Sequence, residues 1–371
     1  MKSAVVALAV AAVAATAMPA AAAPALPPPN DAALTAAIAG LPTHETTGAL
    51  VRITGSAGEW SGTSGVADLR TGAAVRPDGH FRIGSVTKVY TAVLVLQLAQ
   101  ERRIDLDQSV QHYLPDLLPV DYPPVPVYTL LDHTSGLPSV DIPGLYDPRW
   151  ILEHRFDHWS PRQVVDTALR HPIDFPPGTA QKYTNTSYVT AGMLVEKVTG
   201  RSYARNLRDR ITGPLGLRQT YYPNDDPCLP APAARGYLDV DGELVDATLM
   251  NQSIPGAAGA IVATAEDLDR FVTGLFRGRL LGDEMTTRLF AVPDVPMFDG
   301  SGPAYYSQGL MKLTVNGITV WGKTGSRHGY ASGVFATRDL ARKLVYSVNP
   351  TVKSQDGQPL IVQRIAAAAA G

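Results

Sequence analysis

The sequence predicts a mixed α/β (α+β) fold: an antiparallel sheet assembled from both ends of the chain, flanked by helices, with a helical subdomain inserted between. Three observations lead there. Short β-like runs broken by glycine turns occupy residues 48–75 and return at 309–349. A charge-free apolar stretch of helical character follows the first of them. The middle of the chain carries helical patterns separated by proline-rich loops.

The elements follow in order. Residues 1–22 have one early lysine, an alanine-rich apolar run and a small-residue site around Ala20–Ala22, which predicts a cleaved signal peptide. A retained membrane anchor is the alternative, and Pro19 within the run disfavours it. The expected mature protein is therefore secreted, without a membrane anchor. A proline-rich linker (23–31) leads to a single domain (32–371), divided into a sheet subdomain (about 32–105 and 256–371) and a helical subdomain (about 106–255). "DAALTAAIAGL" (31–41) reads as a helix, and "GALVRITGSAGEWSGTSGVADLRTGAAV" (48–75) as a hairpin or meander. "FRIGSVTKVYTAVLVLQLAQ" (81–100) predicts a helix that is apolar nearly all round, entered through a turn at Gly84. Helices are expected within 127–137, 160–171 and 186–211, and "TAEDLDRFVTGLFRG" (264–278) starts one with Thr264 as its cap. "GLMKLTVNGITVWGKTG" (309–325) is a hairpin turning at Asn316–Gly317, and 329–349 is a second with its turn near Arg338–Asp339.

Composition sets outer limits. With 371 residues, 45% hydrophobic, 18% charged and a net charge of −2, the chain can bury a large core and offers nothing to a nucleic acid. Cys228 is the single cysteine, so an intramolecular disulfide and a thiolate metal cluster are both ruled out.

Three short motifs carry candidate chemistry. Ser85 and Lys88 lie three apart at the head of the apolar helix, on one face. A serine hydroxyl is a poor nucleophile until a base takes its proton, and a desolvated lysine near the positive end of a helix can be that base. Alone, S-x-x-K also fits a capped helix start with a snorkelling lysine. Tyr183 and Asn185 precede a long helix; they can shuttle a proton and orient an amide, though such residues before a helix are common. Lys323-Thr324-Gly325 ends a strand, with a cation, a hydroxyl and a residue that permits close backbone approach. A solvated strand end reads the same way.

Together the three motifs resemble the active-site-serine penicillin-recognising enzymes, in the branch that holds class C β-lactamases and the secreted D-alanyl-D-alanine carboxypeptidases of actinomycetes. The resemblance spans about residues 32–350 and includes "LLDHTSGLP" (130–138), "ITGPLGLRQT" (211–220) and "GAAGAIVATAEDLDRF" (256–271). It implies a β-lactamase/transpeptidase-like fold with the active site between the sheet and the helical subdomain. It further implies that Ser85 forms an acyl-enzyme while Lys88 and Tyr183 carry the proton traffic. The Ser85 and Ser326 N–H groups would form the oxyanion hole. Asn185 would hold the substrate amide, and Lys323, Thr324 and Ser326 would meet its carboxylate across Gly325. His133 is implied as part of a structural turn. No metal or organic cofactor is required. The implied substrate is a peptidoglycan-type peptide ending in D-Ala-D-Ala, with β-lactams as covalent inhibitors.

Two departures stand out. The carboxypeptidases in question carry His-Thr-Gly where this chain has Lys323-Thr324-Gly325, and they place an arginine on the preceding strand, where Leu310, Met311 and Lys312 stand here. Arg327 reads as an exposed loop arginine, with anion binding as the other reading. The alternatives are a class C-like β-lactamase, an esterase or D-amino-acid amidase on the same scaffold, and a non-catalytic sensor of peptidoglycan or β-lactam. The sensor has no need of an activated serine, and no G-x-S-x-G elbow supports an α/β-hydrolase esterase. "HRFDH" (154–158) lacks the helical frame of a zinc motif, and its histidines are expected in a surface loop.

Overall fold

A computed structural model describes residues 26–352 and 358–371; the expected signal peptide and the first residues of the linker lie outside them. Helix α1 (Asp31–Ile38) is capped by Asn30, whose side chain accepts the Ala33 N–H. The glycine-punctuated stretch that follows forms the meander β1 (Thr46–Thr54), β2 (Trp60–Asp68) and β3 (Ala73–Ala74). A short β4 (Phe81–Arg82) and one 3₁₀ turn (Gly84–Val86) lead into α2 (Thr87–Gln100), which is buried on every side from Thr87 to Leu96, as a sequence without charge from Val89 onward requires.

The middle of the chain is mainly helical: α3 (Val110–Tyr113), α4 (Val127–Leu131), α5 (Pro148–His154), α6 (Pro161–Ala168), α7 (Asn185–Thr199) and α8 (Tyr203–Leu207). One π turn (Arg208–Thr212) joins α8 to α9 (Gly213–Leu215). The hairpin β5 (Tyr237–Val240) and β6 (Glu243–Asp246) also lies in this stretch, where only helical patterns were read. Next come α10 (Gly256–Gly259), β7 (Val262–Ala263, paired with β4), α11 (Ala265–Phe276) and α12 (Asp283–Leu289). Thr264 caps α11 by accepting the Asp267 N–H, as the sequence predicts. The chain closes with β8 (Met311–Val315), β9 (Ile318–Arg327), β10 (Tyr330–Ala336), β11 (Lys343–Pro350) and α13 (Leu360–Ala369).

Among the described residues the main sheet has seven strands in the order β3-β2-β1-β11-β10-β9-β8. The two ends of the chain meet where β1 pairs antiparallel with β11, Leu50 opposite Ser347 and Val51 opposite Tyr346. Asn316 and Gly317 both take positive φ in the β8–β9 turn, the geometry a two-residue hairpin needs. Strand alternation sorts side chains to two faces. On β1, Leu50 joins the large core around α2, α7 and α11, whereas Ala49, Val51 and Ile53 join a second core under α1 and α13.

Candidate active site

The site lies where the start of α2 meets β9 and the start of α7. Two glycines set that approach. Gly84 has φ +51°, and a Cβ there would fall 2.5 Å from the Ser326 nitrogen; a Cβ on Gly325 would fall 2.0 Å from the Ile83 carbonyl oxygen. The turn carrying Ser85 therefore packs directly against the backbone of β9, and Ser332 Oγ fixes it further by donating to the Ile83 carbonyl at 2.9 Å.

Ser85 Oγ has two partners. Lys88 Nζ lies 3.1 Å away, one helical turn on, and the Tyr183 hydroxyl donates to it at 2.7 Å. Lys88 is fully buried and also donates to Asn185 Oδ1 at 2.7 Å and to the Ala258 carbonyl at 2.8 Å. Burial, and then the nearby Lys323 and Arg327, hold its pKa well below the usual ammonium range. A neutral lysine has two N–H bonds and one lone pair. In that form, with Asn185 and the Ala258 carbonyl accepting the two N–H bonds, the lone pair is left to face the serine hydroxyl. Burial raises the Tyr183 pKa, with the Ser85 hydrogen bond opposing, so the phenol keeps its proton in the resting site.

Lys323 is buried beside this group, with Nζ 5.0 Å from the Tyr183 ring centre and 3.0 Å from the Thr324 carbonyl oxygen. Burial pushes its pKa down to about 7. Ser85, Tyr183, Asn185 and residues 323–327 all line one cleft of about 520 Å³. Every residue singled out in the three motifs thus reaches the same place. Asn185 does so as the first residue of α7 rather than as part of the preceding loop.

Several contributors were not legible in the motifs. His133 takes φ +64° in the turn after α4; its ring stands 4.5 Å from that of Tyr183, and its carbonyl accepts the Lys182 N–H at 2.9 Å. Gln181 is buried and ties the same segment down, donating to the Asp132 and Tyr306 carbonyls and accepting the Tyr305 and Tyr306 N–H groups. These bonds hold Tyr183 from both sides. Arg327 corrects the loop reading: it ends β9, is half-buried and lines the cleft. Lys312 is exposed over the Trp321 ring and does not line the cleft, whereas its neighbour Met311 receives the Thr324 hydroxyl. His154 closes α5 rather than sitting in a loop, and it pairs with Asp157 while His158 pairs with Asp225. No group of three metal-ligand side chains occurs among the described residues.

A serine hydroxyl shared between a buried lysine and a tyrosine, in a cleft between an antiparallel sheet and helices, is the arrangement of a serine nucleophile with a base and a proton donor beside it. The chain belongs to the Beta-lactamase family, whose model matches residues 33–369. It is 34% identical over 219 residues to penicillin-binding protein 4 of Amycolatopsis lactamdurans, an alignment covering 56% of this chain and 54% of that protein. Teichoic acid D-alanine hydrolase of Staphylococcus aureus is 26% identical over 227 residues, covering 61% of this chain and 53% of the relative. The chain thus spans about half the length of these two relatives. The crystal structure of a D-stereospecific amidohydrolase from Streptomyces sp. superposes with a TM-score of 0.78 at 33% identity, covering 91% of this chain and 97% of that one.

Proposed function

We propose that the protein is a secreted serine D-alanyl-D-alanine carboxypeptidase that works through an acyl-enzyme and is acylated by penicillins. One observation carries the choice of substrate. The cleft around Ser85 holds Lys323 and Arg327, and no aspartate or glutamate lines it among the described residues. A peptide ending in a free carboxylate suits that field. The α-ammonium of a free D-amino acid amide finds no counter-charge there among the described residues. In this reading neutral Lys88 takes the Ser85 proton as Oγ attacks the penultimate carbonyl. Tyr183, hydrogen-bonded to the same oxygen, relays a proton to the leaving amine. The Ser85 and Ser326 N–H groups stabilise the developing oxyanion. Asn185 aligns the acyl amide while Lys323, Thr324 and Ser326 hold the carboxylate. D-alanine leaves, and water then releases the acyl group.

A D-aminoacyl amidase is the second reading, favoured by the near-complete match to the Streptomyces amidohydrolase. One experiment separates them. The protein is incubated with a fluorescent penicillin and followed by intact mass, then offered an N-acyl-D-Ala-D-Ala peptide and D-alanine amide. The proposal expects a lasting adduct on Ser85, release of D-alanine from the peptide, and loss of both in Ser85→Ala. Hydrolysis of the amide without cleavage of the peptide overturns it in favour of the amidase, and rapid penicillin turnover overturns it in favour of a β-lactamase.

A further inference from the structure

The cleft holds a second cation that the reaction above does not use. Arg327 follows Ser326 on β9, and Ser326 is the residue whose backbone packs against the turn carrying Ser85. Thr324 lies two residues back along the strand. At about 3.3 Å per residue, Lys323 and Arg327 stand roughly 13 Å apart along β9. They belong to the same strand face and lie on opposite sides of the point where Ser85 meets the strand. A substrate running alongside β9 with its terminal carboxylate at Lys323 and Thr324 must carry its acyl portion past Arg327.

Arg327 is built to meet an anion. Its Nε donates to Gln252 Oε1 at 3.0 Å, and Nη2 leans on Met250 Sδ at 3.8 Å. Gln252 is fully buried and anchored in turn, its Nε2 donating to the Met250 and Asn251 carbonyls. The guanidinium is therefore oriented from one side by a neutral amide. Burial pushes its pKa down to about 10; Arg82 acts in the same direction and Tyr146 opposes, and among the described residues no carboxylate acts on it. A half-buried cation in an open cleft, oriented and lacking a carboxylate partner among the described residues, binds carboxylates through paired charge-assisted hydrogen bonds.

We infer that Arg327, positioned by Gln252, forms an anion subsite on the acyl side of Ser85 and selects acyl groups that carry a free carboxylate. The inference rests on the acyl-enzyme direction proposed above. It is tested with two D-alanine thioesters, N-succinyl and N-butyryl, which differ only in a terminal carboxylate, and with the matching D-Ala-D-Ala peptides. A thioester acylates Ser85 whatever the natural leaving group. In the parent protein kcat/KM should favour the succinyl thioester by about ten- to a hundredfold. Arg327→Gln should bring the ratio close to one, Arg327→Lys should leave it intermediate, and Gln252→Leu should lower it. The ratio cancels any change common to both substrates, including a shift in Lys88 basicity. Should Arg327→Gln not fold, by its melting curve, the severalfold fall expected in Arg327→Lys decides the matter. A ratio near one in the parent, or an unchanged ratio in the folded variants, overturns the assignment. A preserved thioester preference without D-alanine release from the peptides overturns the carboxypeptidase reading alone. Inertness toward both thioesters overturns the acyl-enzyme reading and this subsite with it.

Discussion

At the scale of the residue, the site depends on two buried lysines with opposite requirements. Lys88 must be neutral to accept the Ser85 proton, and Lys323 must be charged to hold a carboxylate. Both have depressed pKa values, and for Lys88 the charge on Lys323 is itself one of the causes. For Lys323 the folded pKa of about 7 lies below the ordinary lysine value of 10.5 that an unfolded chain keeps. Between those two values the unfolded chain binds more protons, so stability rises with pH across that window. Below it the full cost of burying the ammonium is present. Lys323→Met should therefore be more stable than the parent at pH 6, and the gap should close as pH approaches 10.5. The scale is a few kcal/mol, at ~1.4 kcal/mol per unit of pKa, less what the hydrogen bond to Thr324 and the ring contacts contribute. Denaturant melts across the pH range measure it; a gap independent of pH would show that Lys323 does not titrate there. Catalysis runs the other way. KM for a D-Ala-D-Ala peptide should rise as pH passes 7 and free Lys323 loses its charge, and a flat KM from pH 6 to 9 would remove Lys323 from carboxylate binding.

At the scale of the element, the 3₁₀ turn before α2 and strand β9 behave as one unit. Gly325 is the contact point, because its missing side chain leaves room for the Ile83 carbonyl and for Ser332 Oγ, 2.0 and 2.8 Å from where a Cβ would sit. Gly325→Ala should push β9 off the turn, at a cost of ~1–3 kcal/mol in stability. It should also lower the rate of penicillin acylation by more than tenfold, since donors displaced from the developing oxyanion lose most of their effect. Normal acylation in a destabilised variant would separate the packing role of Gly325 from catalysis. The same two elements show what the sequence makes legible. Ser85, Lys88, Tyr183 and Lys323 are each ambiguous alone and become recognisable as a set, through the family resemblance the three motifs carry together; Lys323 lies inside β9 rather than at its end, because the strand runs on to Arg327. Arg327 reads as a loop arginine in the sequence because its burial comes from Met250, Gln252 and α10, far away along the chain. Gln181 carries no signal in the sequence because its role lies in four backbone bonds formed only after the chain folds back on itself.

At the scale of the whole molecule, the two ends of the chain build one sheet, and each face of that sheet has its own core. Glycine turns, the Asn316–Gly317 hairpin and the alternating strands announce the strands themselves. The pairing of β1 with β11, some 300 residues apart, is not written in either strand. Helix α13 is not legible in the sequence, although Ile361, Val362, Ile365 and Ala369 carry a helical spacing, because an alanine-rich terminus gives little hint of what it covers. What it covers is the sheet face turned away from α2, where Ile365 is fully buried in the core that holds Leu34, Val51, Phe335 and Tyr346. That division of cores makes a sharp prediction. Ile365→Ala leaves a cavity on the far side of the sheet and should cost ~2–5 kcal/mol, a loss of several degrees in melting temperature. Penicillin labelling per folded molecule should be unchanged at temperatures where circular dichroism shows the fold intact, because Ser85, Lys88 and Tyr183 draw their support from the other core. An unaltered melting temperature would mean that α13 does not stabilise the sheet. Lost labelling in a fully folded sample would mean that the two cores are coupled, so that the closing helix sets the geometry of β9 as well as the stability of the fold.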